Sequence, residues 1–241
     1  MTKKIGAMDQ LRRDASGIGA LADPVRYELY QFVCSQPGPV SRDQAAEVVG
    51  IARHQAKFHL DRLTAEGLLE CDYARLTGRS GPGAGRTSKL YRRVRHDIAV
   101  SLPQRQYELA GRLMGQAIVQ SQQSGAPVVE VLHRNAHDYG RTIADAALSA
   151  AKRPPADARA ALKLVARLLR EYGYEPGHDD DGVYLVNCPF HALAQEQTEL
   201  ACGMNHALIN GMVDALTPHC LDARLQPTPG RCCVVVAPSA Q

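Results

Sequence analysis

The sequence predicts an α+β protein in two parts. The first is an N-terminal winged helix-turn-helix. The second is a C-terminal α+β sensor-like domain, reached through a linking helix. Three observations carry this. Residues 40–95 run in the order short helix, tight turn, basic helix, strand, Gly/Arg-rich loop, strand. Positive charge is concentrated on that same stretch. Five of the seven cysteines lie beyond residue 187. The expected boundaries are 1–96 for the winged helix-turn-helix, 97–125 for a linking and dimerisation helix, and 126–241 for the cysteine-containing domain.

Taken in order, residues 1–19 read as a loose arm with a short helix at 8–15. A helix over 21–33 follows, with Asp23 as its cap, Pro24 in its first turn, and Leu21, Val25, Leu29, Phe32 and Val33 as its apolar face. Pro37-Gly38-Pro39 ends it. Ser41 and Gln44 have the spacing of a capping box for a helix over 42–49. Gly50 suits the sharp turn into the next helix, 53–66, where Ala56, Leu60 and Leu63 form the buried stripe. Strands over 68–73 and 88–94 flank a wing tip at 77–87.

The second part begins with a long helix over 97–121, interrupted near its start by Leu102-Pro103, and then helices over 128–150 and 157–171. A hairpin with Asp179-Asp180-Asp181-Gly182 at its tip leads to a strand over 183–186. One long helix is expected over 191–216, then strands over 221–225 and 231–237.

Charge narrows the functional classes. Residues 1–98 carry 16 Lys/Arg against 11 Asp/Glu, a net of +5, while residues 99–241 carry 12 against 14, a net of −2. Within 52–95 the balance is 10 against 4. A positive field focused on a helix and a wing suits a polyanion, and a basic helix face suits the major groove of double-stranded DNA. Arg53, His54 and Lys57 are the candidate contacts on the helix. Arg75, Arg79, Arg86 and Lys89 are the candidates on the wing. The glycines of the wing do not open a helix and no Walker lysine accompanies them, so nucleotide binding is set aside. No apolar run is long enough to span a membrane and the N-terminus lacks a signal-peptide core, so a cytoplasmic location is expected.

The cysteines are widely spaced: Cys188 at a strand end, Cys202 mid-helix, Cys220 after that helix, Cys232 and Cys233 at the start of the last strand. Strand alternation sends Cys232 and Cys233 to opposite faces, so one of them faces the helix. Three thiolates from three packed elements suit a soft metal or an iron–sulfur cluster. Buried cysteines acting as small hydrophobes are the plain alternative. His191, His206 and His219 are positioned to offer a fourth ligand, which would also suit zinc. Cys34 and Cys71 read as structural. Cys188 and His191 can be drawn as a nucleophile and base, but no orienting partner or oxyanion arrangement accompanies them, so an enzyme is not expected.

LADPVR (21–26), HLDRL (59–63), EGLL (66–69) and GRTSKLYR (85–92) resemble the winged helix of ArsR-like repressors. NCPFHALA (187–194), LACGMNHALINGM (200–212) and PGRCCV (229–234) resemble the SufR-like branch of ArsR/DeoR-type winged-helix transcriptional regulators. That resemblance implies a cytoplasmic homodimeric repressor that binds an inverted repeat in double-stranded DNA and regulates iron–sulfur assembly genes. It also implies redox sensing through a [4Fe-4S] or [2Fe-2S] cluster on Cys188, Cys202 and Cys232. Cys233, Cys220, His191 and His206 are second-rank ligand candidates. The alternative is a winged-helix regulator that senses zinc or a small apolar effector without a cluster.

Overall fold

The computed structural model describes residues 7–74, 87–151, 153–179, 182–216, 219 and 221–239. The chain divides into two compact units, Met1–Val100 and Ser101–Gln241.

The first unit opens with α1 (Ala7–Ala20), a full helix where a loose arm with a short helix is expected. Gly17 explains the difference: the α1 backbone there comes so close to the chain after α4 that a Cβ would lie 3.2 Å from the Glu66 carbonyl. Ser16 Oγ adds a 2.6 Å hydrogen bond to the Glu66 carboxylate. Helix formation is stabilised here by tertiary packing rather than by local propensity. In α2 (Pro24–Ser35) the Asp23 carboxylate accepts from the Arg26 backbone N–H, as its position predicts. The short strand β1 (Val40–Ser41) leads into α3 (Arg42–Val49), whose capping box of Ser41 and Gln44 is complete. Gly50 closes α3 in the left-handed conformation (φ 74°) and turns the chain into α4 (Arg53–Ala65). Ala56, Leu60 and Leu63 of α4 are fully buried against Leu29 and Val33 of α2 and Ala45 and Ala46 of α3.

The wing strands are β2 (Leu69–Ala74) and β3 (Ser88–Arg93), antiparallel from Leu69↔Arg93 to Ala74↔Ser88. The strand β1 pairs with the other edge of β3, giving the order β1-β3-β2. The wing tip lies outside the described residues, and so do its candidates Arg75, Arg79 and Arg86.

The second unit starts with an irregular segment, and its first helix, α5 (Tyr107–Ser124), begins ten residues later than the predicted 97–121. The predicted linking helix is therefore shorter at its front. Leu102-Pro103 does not interrupt a helix but lies ahead of one, as the constraint on a residue preceding proline favours. Helices α6 (Val128–Ala150) and α7 (Ala158–Glu171) follow, the latter capped by the Asp157 carboxylate. The hairpin β4 (Pro176–Asp179) and β5 (Gly182–Leu185) comes next; its tip, residues 180–181, lies outside the described residues.

The single helix expected over 191–216 is two: α8 (His191–Glu196) and α9 (Thr198–Asp214). Gln197, at φ −134° and ψ 64°, leaves the helical region and breaks them. Strands β6 (Leu221–Leu225) and β7 (Val234–Pro238) complete an antiparallel sheet of order β4-β5-β7-β6. The last strand begins three residues later than predicted.

The core of this unit is built on α6 and α9. A Cβ at Gly140 would lie 1.9 Å from the Leu208 carbonyl oxygen, and one at Gly211 would lie 1.9 Å from that of His137. The two helices thus approach backbone to backbone, with Ala136, Ile143 and Ala144 of α6 and Met204, Leu208 and Met212 of α9 buried in the same core. Gly140→Ala should lower the stability of the C-terminal unit by about 3 kcal/mol, because carbonyls cannot move aside as a flexible side chain can. Gly115→Ala, inside α5 with open space at its Cβ, should instead raise stability by about 0.5–1 kcal/mol. Urea denaturation of both variants checks the pair.

Candidate functional site

Two sites arise, one in each unit. The first is the outer face of α4 and the wing beside it. Residues advance about 100° each around a helix, so burial of Ala56, Leu60 and Leu63 turns His54 and Phe58 directly outward. Arg53, His54, Lys57, Phe58 and Arg62 are all exposed. Arg53 is 77% exposed and makes a loose 3.6 Å contact with Asp43. The helix-borne candidates are therefore presented to solvent on one element, although Lys57 lies to one side of the outermost line and Arg53, three residues before Ala56, lies nearer the buried stripe.

Lys57 and Lys89 share one carboxylate. Asp61 Oδ2 accepts from Lys57 Nζ at 2.9 Å, and Oδ1 accepts from Lys89 Nζ at 2.6 Å and from Tyr91 Oη at 2.9 Å. Burial alone would push the Asp61 carboxyl up, but the hydrogen bonds from Lys89, Lys57 and Tyr91 outweigh it and hold it down at about 2. On Lys89, burial acts downward and the Asp61 hydrogen bond outweighs it, so the ammonium is held more firmly. This carboxylate ties α4 to β3. It also neutralises part of the basic face that composition suggests. Arg42, Lys57, Tyr73 and Lys89 line an open concavity between α4 and the wing. Arg42, Tyr73, Asp61 and Phe58 were not singled out by sequence reasoning. Only the period-3.6 burial of α4 held a signal for Phe58.

The second site is the group of cysteines in the C-terminal unit. Cys188 follows β5. Arg105 Nη1 donates to the Cys188 carbonyl at 2.6 Å and to Asn187 Oδ1 at 3.0 Å. Asn187 Nδ2 donates to the Gly173 carbonyl at 2.8 Å. This fixes the 187–188 turn. Cys202 projects from the side of α9 that also carries Asn205 and His206, and this side faces the sheet: His206 Nε2 lies 2.8 Å from the Ala223 carbonyl of β6.

Cys232 and Cys233 precede β7, so the alternation expected of a strand does not apply to them. The Cys232 N–H donates to the Leu185 carbonyl at 2.8 Å, and the Cys233 carbonyl accepts from the Gln226 N–H at 2.7 Å. Arg231 stacks on the Tyr184 ring at 3.8 Å, which holds the approach to the pair.

The outcome is that both cysteines join one group. Cys188 and Cys233 each hydrogen-bond to Cys232, and Cys202 hydrogen-bonds to Cys233. Hydrogen bonds from Cys188 and Cys233, then from Asn205, favour the thiolate at Cys232; Asn205 Nδ2 lies 3.2 Å from its sulfur. The bond to that thiolate pushes the Cys188 and Cys233 thiols up. Tyr174 donates to Asn205 Oδ1 and so sets which end of the amide faces sulfur.

Cys220 lies outside the described residues. His191 is exposed, and its backbone N–H donates to the Cys188 carbonyl at 3.1 Å. His206 is engaged with β6, and His219 is half-buried. In the first unit Cys71 packs against the core, as a structural role requires, and Cys34 pairs with Tyr30.

Among the described residues, no group of three or more His, Cys, Asp or Glu side chains encloses a metal-ion position. The four cysteines are free thiols that interact with one another. In donor chemistry the four sulfurs fit a soft centre, whether an iron–sulfur cluster or zinc.

A three-stranded wing packed beside a helix-turn-helix defines the N-terminal unit as a winged helix-turn-helix, the kind of domain DNA-binding transcriptional regulators use. In agreement, residues 21–72 match a family described as a helix-turn-helix domain. No curated protein and no solved structure matches the chain. Among the described residues, no helix is long and apolar enough to cross a membrane.

The Asp61 carboxyl, held down in the folded protein, contributes stability above the usual carboxylate range that is lost as pH falls from about 4 through about 2. Asp61→Asn should cost about 1 kcal/mol at pH 7, a value reduced for its partial exposure. Below pH 4 its acid unfolding should have a shallower slope than the wild type. Denaturant midpoints measured from pH 7 to pH 2 test both.

Proposed function

We propose that the protein is a DNA-binding transcriptional repressor whose DNA affinity is set by an iron–sulfur cluster held on C-terminal thiols. The observation that carries this is the convergence of Cys188, Cys202, Cys232 and Cys233, from three separate stretches, in a chain whose other unit is a winged helix-turn-helix. As a homodimer, the chain would place two copies of α4 in successive major grooves of an inverted repeat. Arg53 and His54 are the base-edge candidates. Arg42, Tyr73 and Lys89, which line the concavity beside α4, are the phosphate candidates, and Arg75, Arg79 and Arg86 are added to them from the sequence pattern alone. The resemblance of residues 187–234 to the SufR-like branch supports iron–sulfur assembly genes as the targets.

Cys188, Cys202 and Cys232 would hold the cluster, with Cys233 as the fourth sulfur. The chemistry a bound cluster supplies is a reversible change of oxidation state or of occupancy. The residues around it determine what such a change does to the protein. Cys188 lies in the turn after β5, Cys202 on α9 and Cys232–Cys233 just before β7, so a common ligand would tie three stretches together. Arg105 is five residues past the boundary between the units and is bonded to the Asn187–Cys188 turn. It is the nearest link from the thiols to the chain entering from the DNA-binding unit. A ligand at the thiols shifts DNA affinity only insofar as it binds the two states differently.

The test begins with anaerobic purification, a visible spectrum and metal and sulfide analysis. Iron and sulfide in equal amounts, lost in Cys188→Ser or Cys202→Ser, are expected. One zinc per chain without sulfide would replace the cluster by zinc. A colourless sample containing neither metal after reconstitution would remove the sensor and leave the DNA-binding half. Arg105→Met should retain its iron but bind DNA with the same affinity loaded or stripped, whereas the wild type should differ between the two. Persistence of the wild-type difference in Arg105→Met would exclude this route.

On the DNA side, Arg86→Ala should weaken binding to all duplexes and reduce the salt slope by about 1. Arg53→Ala should cost about 1–3 kcal/mol on a selected site and much less on random DNA. Titrations on both duplexes at several salt concentrations separate the two roles.

A further inference from the structure

We infer that Phe58 is a base-reading residue, and that its ligand is the 5-methyl edge of a thymine in the major groove. This rests on the reading of the N-terminal unit as DNA-binding and adds to it a specificity that charge does not provide.

The observation is an aromatic ring in the wrong place for a core. Phe58 is 64% exposed in the middle of α4, although the chain has only three phenylalanines. Phe190, by contrast, is 1% exposed. On α4 the buried side is already complete in Ala56, Leu60 and Leu63, which are all fully buried. Phe58 lies opposite that side, one turn after His54 and one turn before Arg62. Among the described residues its ring contact is edge-to-face with His59, the next residue on the same helix, at 5.3 Å. That contact leaves the outer face and tip of the ring bare. Covering so large an apolar side chain would release free energy that its exposure leaves unused.

The surroundings indicate what covers it. Two exposed cationic side chains, Lys57 and Arg62, flank the ring on its own helix, each also paired with a carboxylate one turn on, Asp61 and Glu66. Lys89 and Arg42 stand on the neighbouring strand and helix. An apolar protein surface would meet those charges unfavourably, whereas a polyanion would meet them favourably. A duplex seated on them brings the floor of the major groove to the outermost line of α4, which is the line of His54 and Phe58. That floor has one apolar group, the thymine 5-methyl. The chemistry of Phe58 therefore selects thymine from the four bases, by van der Waals contact and exclusion of water rather than by hydrogen bonding.

Replacing thymine by uracil removes that methyl and leaves each hydrogen-bonding group of the base in place. The experiment selects preferred sites for the full-length protein from a library of random duplexes, then replaces each thymine of the selected site singly by deoxyuridine. Binding of wild type, Phe58→Ala and Phe58→Leu is measured by fluorescence anisotropy, and thermal melting establishes that the variants are folded. At one thymine per half-site, deoxyuridine should weaken wild-type binding about fourfold, as expected for one buried methyl group. Phe58→Ala should bind the thymine and uracil duplexes equally, and Phe58→Leu should retain part of the difference. Uracil tolerated at each position by the wild type would overturn the inference, as would an equal uracil penalty in Phe58→Ala. A wild-type protein that enriches no sequence would overturn the DNA-binding reading itself, a different failure from the first two.

Discussion

The C-terminal unit depends on the backbone contact between α6 and α9. Gly140 lies against the Leu208 carbonyl and Gly211 against that of His137, so at these two points no side chain separates the helices. That proximity fixes the rotation of α9. With Gly203, Leu208 and Gly211 turned toward α6, Cys202, Asn205 and His206 have only the opposite side on which to lie, and the sheet is there. The site on the sheet side is thus set by close packing on the other side. Dense packing explains why such a position is discrete rather than adjustable.

Burial governs the chemistry that follows. Asn205 and Asn187 are buried polar side chains, and each is satisfied: Asn205 by Tyr174 and the Cys232 sulfur, Asn187 by Arg105 and the Gly173 carbonyl. Buried amides left unpaired are costly, so these bonds hold the loops that carry Cys188 and Cys232. A group of adjacent thiols in low-dielectric surroundings favours one shared negative charge over several. Exchange of the remaining protons for a soft cation is the chemistry such a group is suited to.

In the N-terminal unit the corresponding constraint is Asp61. One carboxylate receives Lys57, Lys89 and the Tyr91 hydroxyl, and so links α4 to the wing strand β3. The cost is some of the positive field, since two of the candidate DNA contacts are already paired. In the proposed DNA-binding role, recognition would rest less on summed charge than on what stands outermost, where Phe58 is exposed.

Local chemistry was fully legible in the sequence where it acts over a few residues. Asp23, the Ser41–Gln44 box, Gly50 and the 3.6-residue stripe of α4 each appear in the structure as their spacing predicts, because caps, turns and amphipathic faces are decided by neighbours in the chain. Three features were decided only by tertiary structure. Helix α1 gains its length from contact with Glu66. The break at Gln197 has no strong local signal. Cys232 and Cys233 share one site because β7 starts after them, and the Leu185 carbonyl and the Gln226 N–H hold their backbone. By itself the sequence determined that a basic winged helix precedes a cysteine-bearing domain, since periodicity and composition are properties of the chain. Which sulfurs meet, and which side chain of α4 faces outward uncovered, were decided by packing between elements far apart in sequence, which no local pattern encodes.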